Sequence, residues 1–261
     1  MPPPWTRQKL AEHCAALGLG PGDAVLVHAG LRAVGPILGG PDALIAALRD
    51  AVGPDGTILA YCDWQLETTD DPSLRAHIPA FDPLASRAIR DNGAFPELLR
   101  TTPGALRSGS PGASCAALGG RAAWFVADHA LDYGYGPHSS FGKLVDAGGK
   151  TLMLGAPLDT MTLLHHAEHL ARIPGKRVLR YAAPIRLDGK TVWRDFEEFD
   201  TGQPVVAGLD EDYFEEVVED FLATGAGRRG LIGHAPSVLV DAAAIVDFGT
   251  AWLERRFGSH P

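Results

Sequence analysis

Apolar positions recur along the chain with two different periods. Leu10, Cys14 and Leu17 fall on one helical face, and Gly18, Gly20, Pro21 and Gly22 end that helix before the strand-like AVLVH at 24–28. A second round follows at once: Pro41 opens a helix through DALIAALRDAV, GPDG turns the chain, and TILAY at 57–61 reads as another buried strand. Strands alternating with helices at this rhythm predict an α/β sheet with parallel strands in its core.

Between Cys62 and Pro83 the pattern dissolves into a long irregular stretch rich in Asp, Glu and Pro, of the kind that inside a compact domain is functional or disordered. Periodicity resumes with a helix near 95–100, a strand at 114–118, a short helix near 122–127 and the strand TLMLG at 151–155. A helix around His165, a hairpin turning at Asp188-Gly189, an acidic amphipathic helix near 210–222, and a last strand and helix within 238–256 complete the predicted elements. No fixed-period repeat or low-complexity linker divides the chain. The expected fold is α/β: one domain over residues 1–261 with a mixed, largely parallel sheet, flanking helices and long functional loops.

Composition narrows the function. The 261 residues are 46% hydrophobic and 21% charged, with no apolar run long enough to span a bilayer. The opening MPPPWTRQKLAEH lacks the basic-then-apolar layout of a secretory signal, so no membrane association and a cytoplasmic location are expected. Cys14, Cys62 and Cys115 are odd in number and show no CxxC spacing, which predicts buried, reduced thiols. The formal net charge of −9 argues against nucleic acid and suits a cationic small partner. A monomer and a homodimer are equally compatible with these features.

The run LDTMTLLHHAEHLARIPGKR at 158–177 follows a predicted strand and starts a helix near Thr160 or Thr162, a position that in α/β folds lines the binding crevice. His165 and Glu168, three residues apart, share a face of that helix, and His166 points elsewhere. A neutral imidazole can take the proton that an attacking amine must lose, and a carboxylate on its other nitrogen fixes the tautomer. The same spacing also serves a helix histidine with a local partner and no chemistry. A third reading is open: His165, Glu168 and His169 spell HxxEH, the pattern of inverted zinc peptidases, in which the histidines bind metal and the glutamate is the base.

Two loops offer anion-binding chemistry without a dinucleotide or P-loop fingerprint. His28, Ala29, Gly30, Leu31, Arg32, Val34 and Gly35 run from a strand into a glycine-punctuated turn whose free N–H groups, with Arg32, suit a phosphate. RTTPGALRSGSPGAS adds Arg107, Ser108 and Ser110. Acids gather at Asp63, Glu67, Asp70 and Asp71, and again at Glu197, Glu198 and Asp200; if they converge, their potential attracts a polyamine.

Taken together, VHAGLRAVGP, VGPDGTILAY, FDP, RSGSPGAS, LLHHAE and GLIGHAPSVLVDAAAIVDFG, in that order along the chain, resemble the aminoglycoside 3-N-acetyltransferases, antibiotic acetyltransferases outside the GNAT group. The resemblance implies the fold particular to that family, acetyl-coenzyme A as donor, no metal, an aminoglycoside acceptor modified at the 3-amino group of its 2-deoxystreptamine ring, and antibiotic resistance as the result. It also implies that His165 is catalytic with Glu168 beside it, and that Glu198 and Asp200, with an acid among Asp63, Glu67 and Asp70, hold the antibiotic. Two departures stand out: His28-Ala29-Gly30-Leu31 where members commonly show HSSL, and Ser110 where they carry a histidine. Against this reading stand the zinc hydrolase and a catalytically silent aminoglycoside- or coenzyme-binding protein.

Overall fold

The computed structural model describes residues 3–64, 71 and 73–258. Helices α1 (Arg7–Leu17) and α2 (Pro41–Val52) alternate with strands β1 (Ala24–Ala29) and β2 (Thr57–Tyr61) as the periodicity requires. Then follow α3 (Phe95–Thr101), β3 (Leu106–Arg107), β4 (Cys115–Gly119), α4 (Ala122–Val126), α5 (Ser140–Asp146), β5 (Lys150–Leu154) and α6 (Leu164–Leu170). The chain closes with β6 (Val178–Leu187), β7 (Lys190–Phe199), α7 (Tyr213–Ala223), β8 (Arg228–Ile232), β9 (Ala235–Asp241) and α8 (Ala242–Phe257). Local signals set the ends: Thr6 caps α1 by accepting from the Lys9 N–H, and Asp241 caps α8 by accepting from Ala244.

Seven strands form one sheet in the order β3-β4-β2-β1-β5-β9-β8. The centre, β2-β1-β5, is parallel, and the four outer pairings are antiparallel. Because β3 and β8 each pair with a strand that is itself reversed, five of the seven strands run in one direction. Alternation along the strands sends side chains to both faces. On β1, Val25 and Val27 join the core under α1, α2 and α3, while Ala24 and Leu26 join the core under α5 to α8.

The hairpin β6-β7 is a separate two-stranded sheet whose small core is Phe81, Ala183, Ile185 and Phe196. Its turn falls at Asp188 and Gly189, with φ of 48° and 74°, the left-handed pair that a two-residue hairpin demands. Among the described residues no helix is long and apolar enough to cross a membrane. The three cysteines are buried and free, as their spacing predicted.

Candidate active site

The chain leaves β5 at Leu154, makes a 3-10 turn at Leu158–Thr160, and enters α6. The helix starts later than the sequence suggested. The Thr162 hydroxyl donates back to the Thr160 carbonyl rather than capping, so Leu163 stands at the N-cap with no side-chain bond. His165 therefore lies in the first helical turn, at the rim of a cavity of about 420 Å³ lined also by Asp159, Glu168, Thr201, Glu211, Asp212, Tyr213 and Phe214.

The predicted pair is formed. His165 Nδ1 lies 2.6 Å from Glu168 Oε2, and the Tyr213 hydroxyl donates to Glu168 Oε1, so both carboxylate oxygens are engaged. Burial and the neighbouring Glu168 push the Tyr213 hydroxyl far up, keeping it protonated as a donor. Tyr135 and Phe214 flank the His165 ring with centroids at 5.0 and 4.9 Å. Tyr135 also accepts from His166 Nδ1 at its carbonyl, 2.7 Å away, which pins α6 from behind.

His169, one turn further on, bonds Glu198 Oε1 at 2.9 Å. Glu198 also accepts from the N–H of Phe199 and, at Oε2, from that of Gly134. This division bears on two of those readings. A zinc site of the HxxEH kind needs both histidines turned to one point and the glutamate free; here Glu168 is held by His165 and Tyr213, and His169 is committed to Glu198. Glu198, for its part, already accepts from three protein N–H groups, a partner set that its position after a strand did not predict. Among the described residues no three His, Cys, Asp or Glu side chains gather as metal ligands.

The acids divide in the same way. Asp200 accepts from Gly202 N–H and directly precedes Thr201 and Gly202, which line the His165 cavity. Asp63 is half-buried beside the Tyr61 hydroxyl, and burial lifts its carboxyl to about 7. Glu67 and Asp70 lie outside the described residues. The negative wall near His165 comes instead from Asp159, Glu211 and Asp212, which the sequence reading passed over. Asp159 sits inside the singled-out run and the other two open the acidic helix, but only the fold brings them together.

Of the first loop, His28, Ala29 and Gly30 line a second cavity of about 180 Å³ with Tyr61, Asn92, Thr160 and Thr162. Gly30 is required there: a Cβ would stand 2.2 Å from the Gly155 carbonyl oxygen, so no side chain fits this approach of the loop to β5. Leu31, Arg32, Val34 and Gly35 turn away from that cavity, with Val34 buried in the core and Arg32 exposed.

The second loop is also corrected. Arg107, Ser108 and Ser110 are buried. Arg107 donates to the carbonyls of Cys62 and Ser86 and to Ser114 Oγ, bracing the chain after β2 rather than presenting a cation to phosphate. Ser108 accepts from Cys115 N–H and meets His129 Nδ1 at 2.8 Å. Because His129 Nε2 faces the Gly134 carbonyl, which only accepts, Nδ1 is the acceptor and Ser108 the donor. This serine–histidine contact was invisible in sequence, and its burial closes it to any substrate.

Comparison with known proteins agrees along the whole chain. The family profile described as aminoglycoside 3-N-acetyltransferase matches residues 26–254. Aminoglycoside N(3)-acetyltransferase III of Pseudomonas aeruginosa is 45% identical, covering 98% of this chain and 96% of its own length. Aminoglycoside N(3)-acetyltransferase VII of Streptomyces paromomycinus is 46% identical, covering 98% and 93%. Among solved structures, AAC-IIIb in binary complex with CoASH is 63% identical with a TM-score of 0.96, over 98% of this chain and 99% of that one. AAC-VIa bound to sisomicin is 39% identical with a TM-score of 0.92, over 98% and 100%. Matched by the family profile over most of its length and by these relatives in sequence and fold, this chain belongs to the aminoglycoside 3-N-acetyltransferase family.

Proposed function

We propose that the chain transfers the acetyl group of acetyl-coenzyme A to the 3-amino group of the 2-deoxystreptamine ring of an aminoglycoside, by direct attack in a ternary complex, with His165 as general base. Antibiotic resistance is the consequence, and the cytoplasm, which supplies the donor, is the place of action. The observation that carries the reading is the His165–Glu168 pair at the rim of an acidic cavity. With Nδ1 donating to the carboxylate, Nε2 holds the lone pair, and it has no protein partner among the described residues.

In the step itself the amine nitrogen bonds to the thioester carbon while its proton passes to His165 Nε2. Glu168 stabilises the imidazolium, and Tyr213 holds Glu168 in place. The carbon–sulfur bond then breaks, and the proton is available to the departing thiolate. Asp159, Glu211 and Asp212, with Asp200 and Asp63, hold the antibiotic's remaining ammonium groups. Thr160 and Thr162 line the second cavity while Asp159 and His165 line the first, so one short segment serves donor and acceptor together. The relatives solved with CoASH and with sisomicin support the two kinds of substrate.

The test is incubation with acetyl-coenzyme A and an aminoglycoside panel, following thiol release and locating the new amide by NMR. Acetylation at the 3-amino group is expected. No thiol release with any aminoglycoside, despite binding, would leave a silent binding protein.

A further inference from the structure

Tyr135 lines neither cavity and is 1% exposed, yet the chain anchors it at both its backbone and its hydroxyl. Its carbonyl accepts from His166 Nδ1 at 2.7 Å, one residue from His165. The residue before it, Gly134, is held at both backbone groups: its N–H donates to Glu198 Oε2 and its carbonyl accepts from His129 Nε2. A Cβ at Gly134 would stand 2.7 Å from that of Ala113 and 2.8 Å from Ser110 Oγ, so the turn has no room for a side chain there. Tyr133 adds a second constraint. Its φ of 52° is left-handed, which a bulky residue keeps only where its surroundings over-determine it, and its N–H donates to the Glu197 carbonyl.

At the other end the Tyr135 hydroxyl lies 2.9 Å from the Gly112 carbonyl and 2.6 Å from the Tyr61 hydroxyl. A carbonyl only accepts, so Tyr135 donates to Gly112 and accepts from Tyr61. Between these anchors the ring stacks on Phe141 at 5.3 Å and meets the His165 imidazole at 5.0 Å, with Phe214 also against the imidazole at 4.9 Å. Rotation of an imidazole about Cβ–Cγ is soft, so its orientation comes from its neighbours. We propose that Tyr135 is a positioning residue for the acyl transfer: a ring anchored at both ends that holds the His165 imidazole where Nδ1 meets Glu168 and Nε2 faces the cavity. The inference rests on His165 as the base and adds to it a residue that touches neither substrate.

Tyr135→Leu removes the ring, and Tyr135→Phe removes the hydroxyl anchor alone. In the leucine variant kcat should fall about ten- to a hundredfold, the scale of a misplaced catalytic group, while KM for acetyl-coenzyme A and for the aminoglycoside stays near the parent's. The phenylalanine variant should lose about fivefold in kcat, the weight of one hydrogen bond. Nitrogen-15 NMR of histidine-labelled protein reads the orientation directly, with the His165 signals identified by their absence in His165→Ala. With the ring neutral, the Nδ1-protonated form of the parent should give way to a mixture of tautomers in Tyr135→Leu and, in part, in Tyr135→Phe. A residue that merely fills space would lower the melting temperature and leave both the kcat of the folded protein and the tautomer unchanged, and that result overturns the proposal. A loss confined to either KM overturns it too, by making Tyr135 a substrate contact. If Tyr135→Leu fails to fold, Tyr135→Phe decides by the same two readouts. Parental turnover in His165→Ala sinks the base reading itself; an inactive His165→Ala beside an unaltered Tyr135→Leu sinks this inference alone.

Discussion

Helix α6 carries two histidine–carboxylate pairs one turn apart, and they are built inside out relative to each other. In the first, the side chain of His165 is 17% exposed and that of Glu168 3%; in the second, His169 is 6% exposed and Glu198 14%. The first pair opens its imidazole to an acidic cavity and hides its carboxylate behind Tyr213. The second hides its imidazole between Tyr133 and Phe199 and engages its carboxylate with two backbone N–H groups besides the imidazole. The lesson is that a His–Glu contact does chemistry only if the histidine keeps a nitrogen facing substrate. A pair with the histidine enclosed is a strut, here tying α6 to β7 and to the loop at Gly134.

The largest effect should come from removing the open imidazole. His165→Ala is expected to fold with a normal melting temperature and lose about 10²- to 10⁴-fold in kcat, the usual weight of a general base. Steady-state kinetics beside a thermal melt checks it, and turnover close to the parent's would make both pairs struts. Next in size is Glu168→Gln. The imidazole stays in place, but a charge-assisted bond of about 1.5–3 kcal/mol becomes a neutral one, so kcat should fall roughly ten- to a hundredfold. Should the glutamine variant lose more turnover than His165→Ala, the roles within the first pair would have to be exchanged.

How much of this contrast was legible in the sequence follows from what each feature depends on. The sheet core, the hairpin turn at Asp188-Gly189 and the His165–Glu168 pair rest on local periodicity, turn chemistry and helical spacing, and each can be read along the chain. Strand β8 escaped because RRGLI at an exposed edge alternates weakly, and α5 because the glycine-, proline- and serine-rich GYGPHS that leads into SFGKLVD, and the glycine inside it, read as loop. The partners of Glu198 escaped for a different reason. Local sequence shows that an acid follows a strand, but not that Gly134 and His169 arrive from elsewhere to occupy it. Arg107 failed likewise: a loop arginine looks like a phosphate ligand until the carbonyls of Cys62 and Ser86 fold around it.

Third in size is the strut itself. In Glu198→Gln one oxygen becomes an NH₂ group that must face a backbone N–H or displace His169, leaving a buried donor unmet at a cost of about 1–3 kcal/mol. A melting temperature lower by several degrees is expected, with kcat within tenfold of the parent and little change in aminoglycoside KM. A Glu198→Gln protein that melts normally but has lost aminoglycoside affinity would return Glu198 to the antibiotic and undo the contrast.

The smallest effect concerns a carboxyl with no histidine at all. Asp63 is half-buried beside the Tyr61 hydroxyl, and burial raises it from 3.8 to about 7. In the unfolded chain it titrates near 3.9, so between about pH 4 and pH 7 the folded protein binds more protons at this position than the unfolded one. Its contribution to stability is therefore lost as pH rises through that window and is flat on either side. His28 and His129 work in the opposite sense: burial depresses both to about 4, so their contribution grows as pH rises from about 4 to 6.5. The raw pH profile mixes the two signs, but both histidines are unchanged in Asp63→Asn and cancel when variant and parent are compared. The variant should gain stability over the parent steadily between pH 4 and pH 7 and hold a constant lead above it, read from urea midpoints at each pH. A lead that does not change with pH would mean that the Asp63 carboxyl is as well satisfied charged as neutral, and that lacking a histidine partner does not set it apart from Glu168 and Glu198.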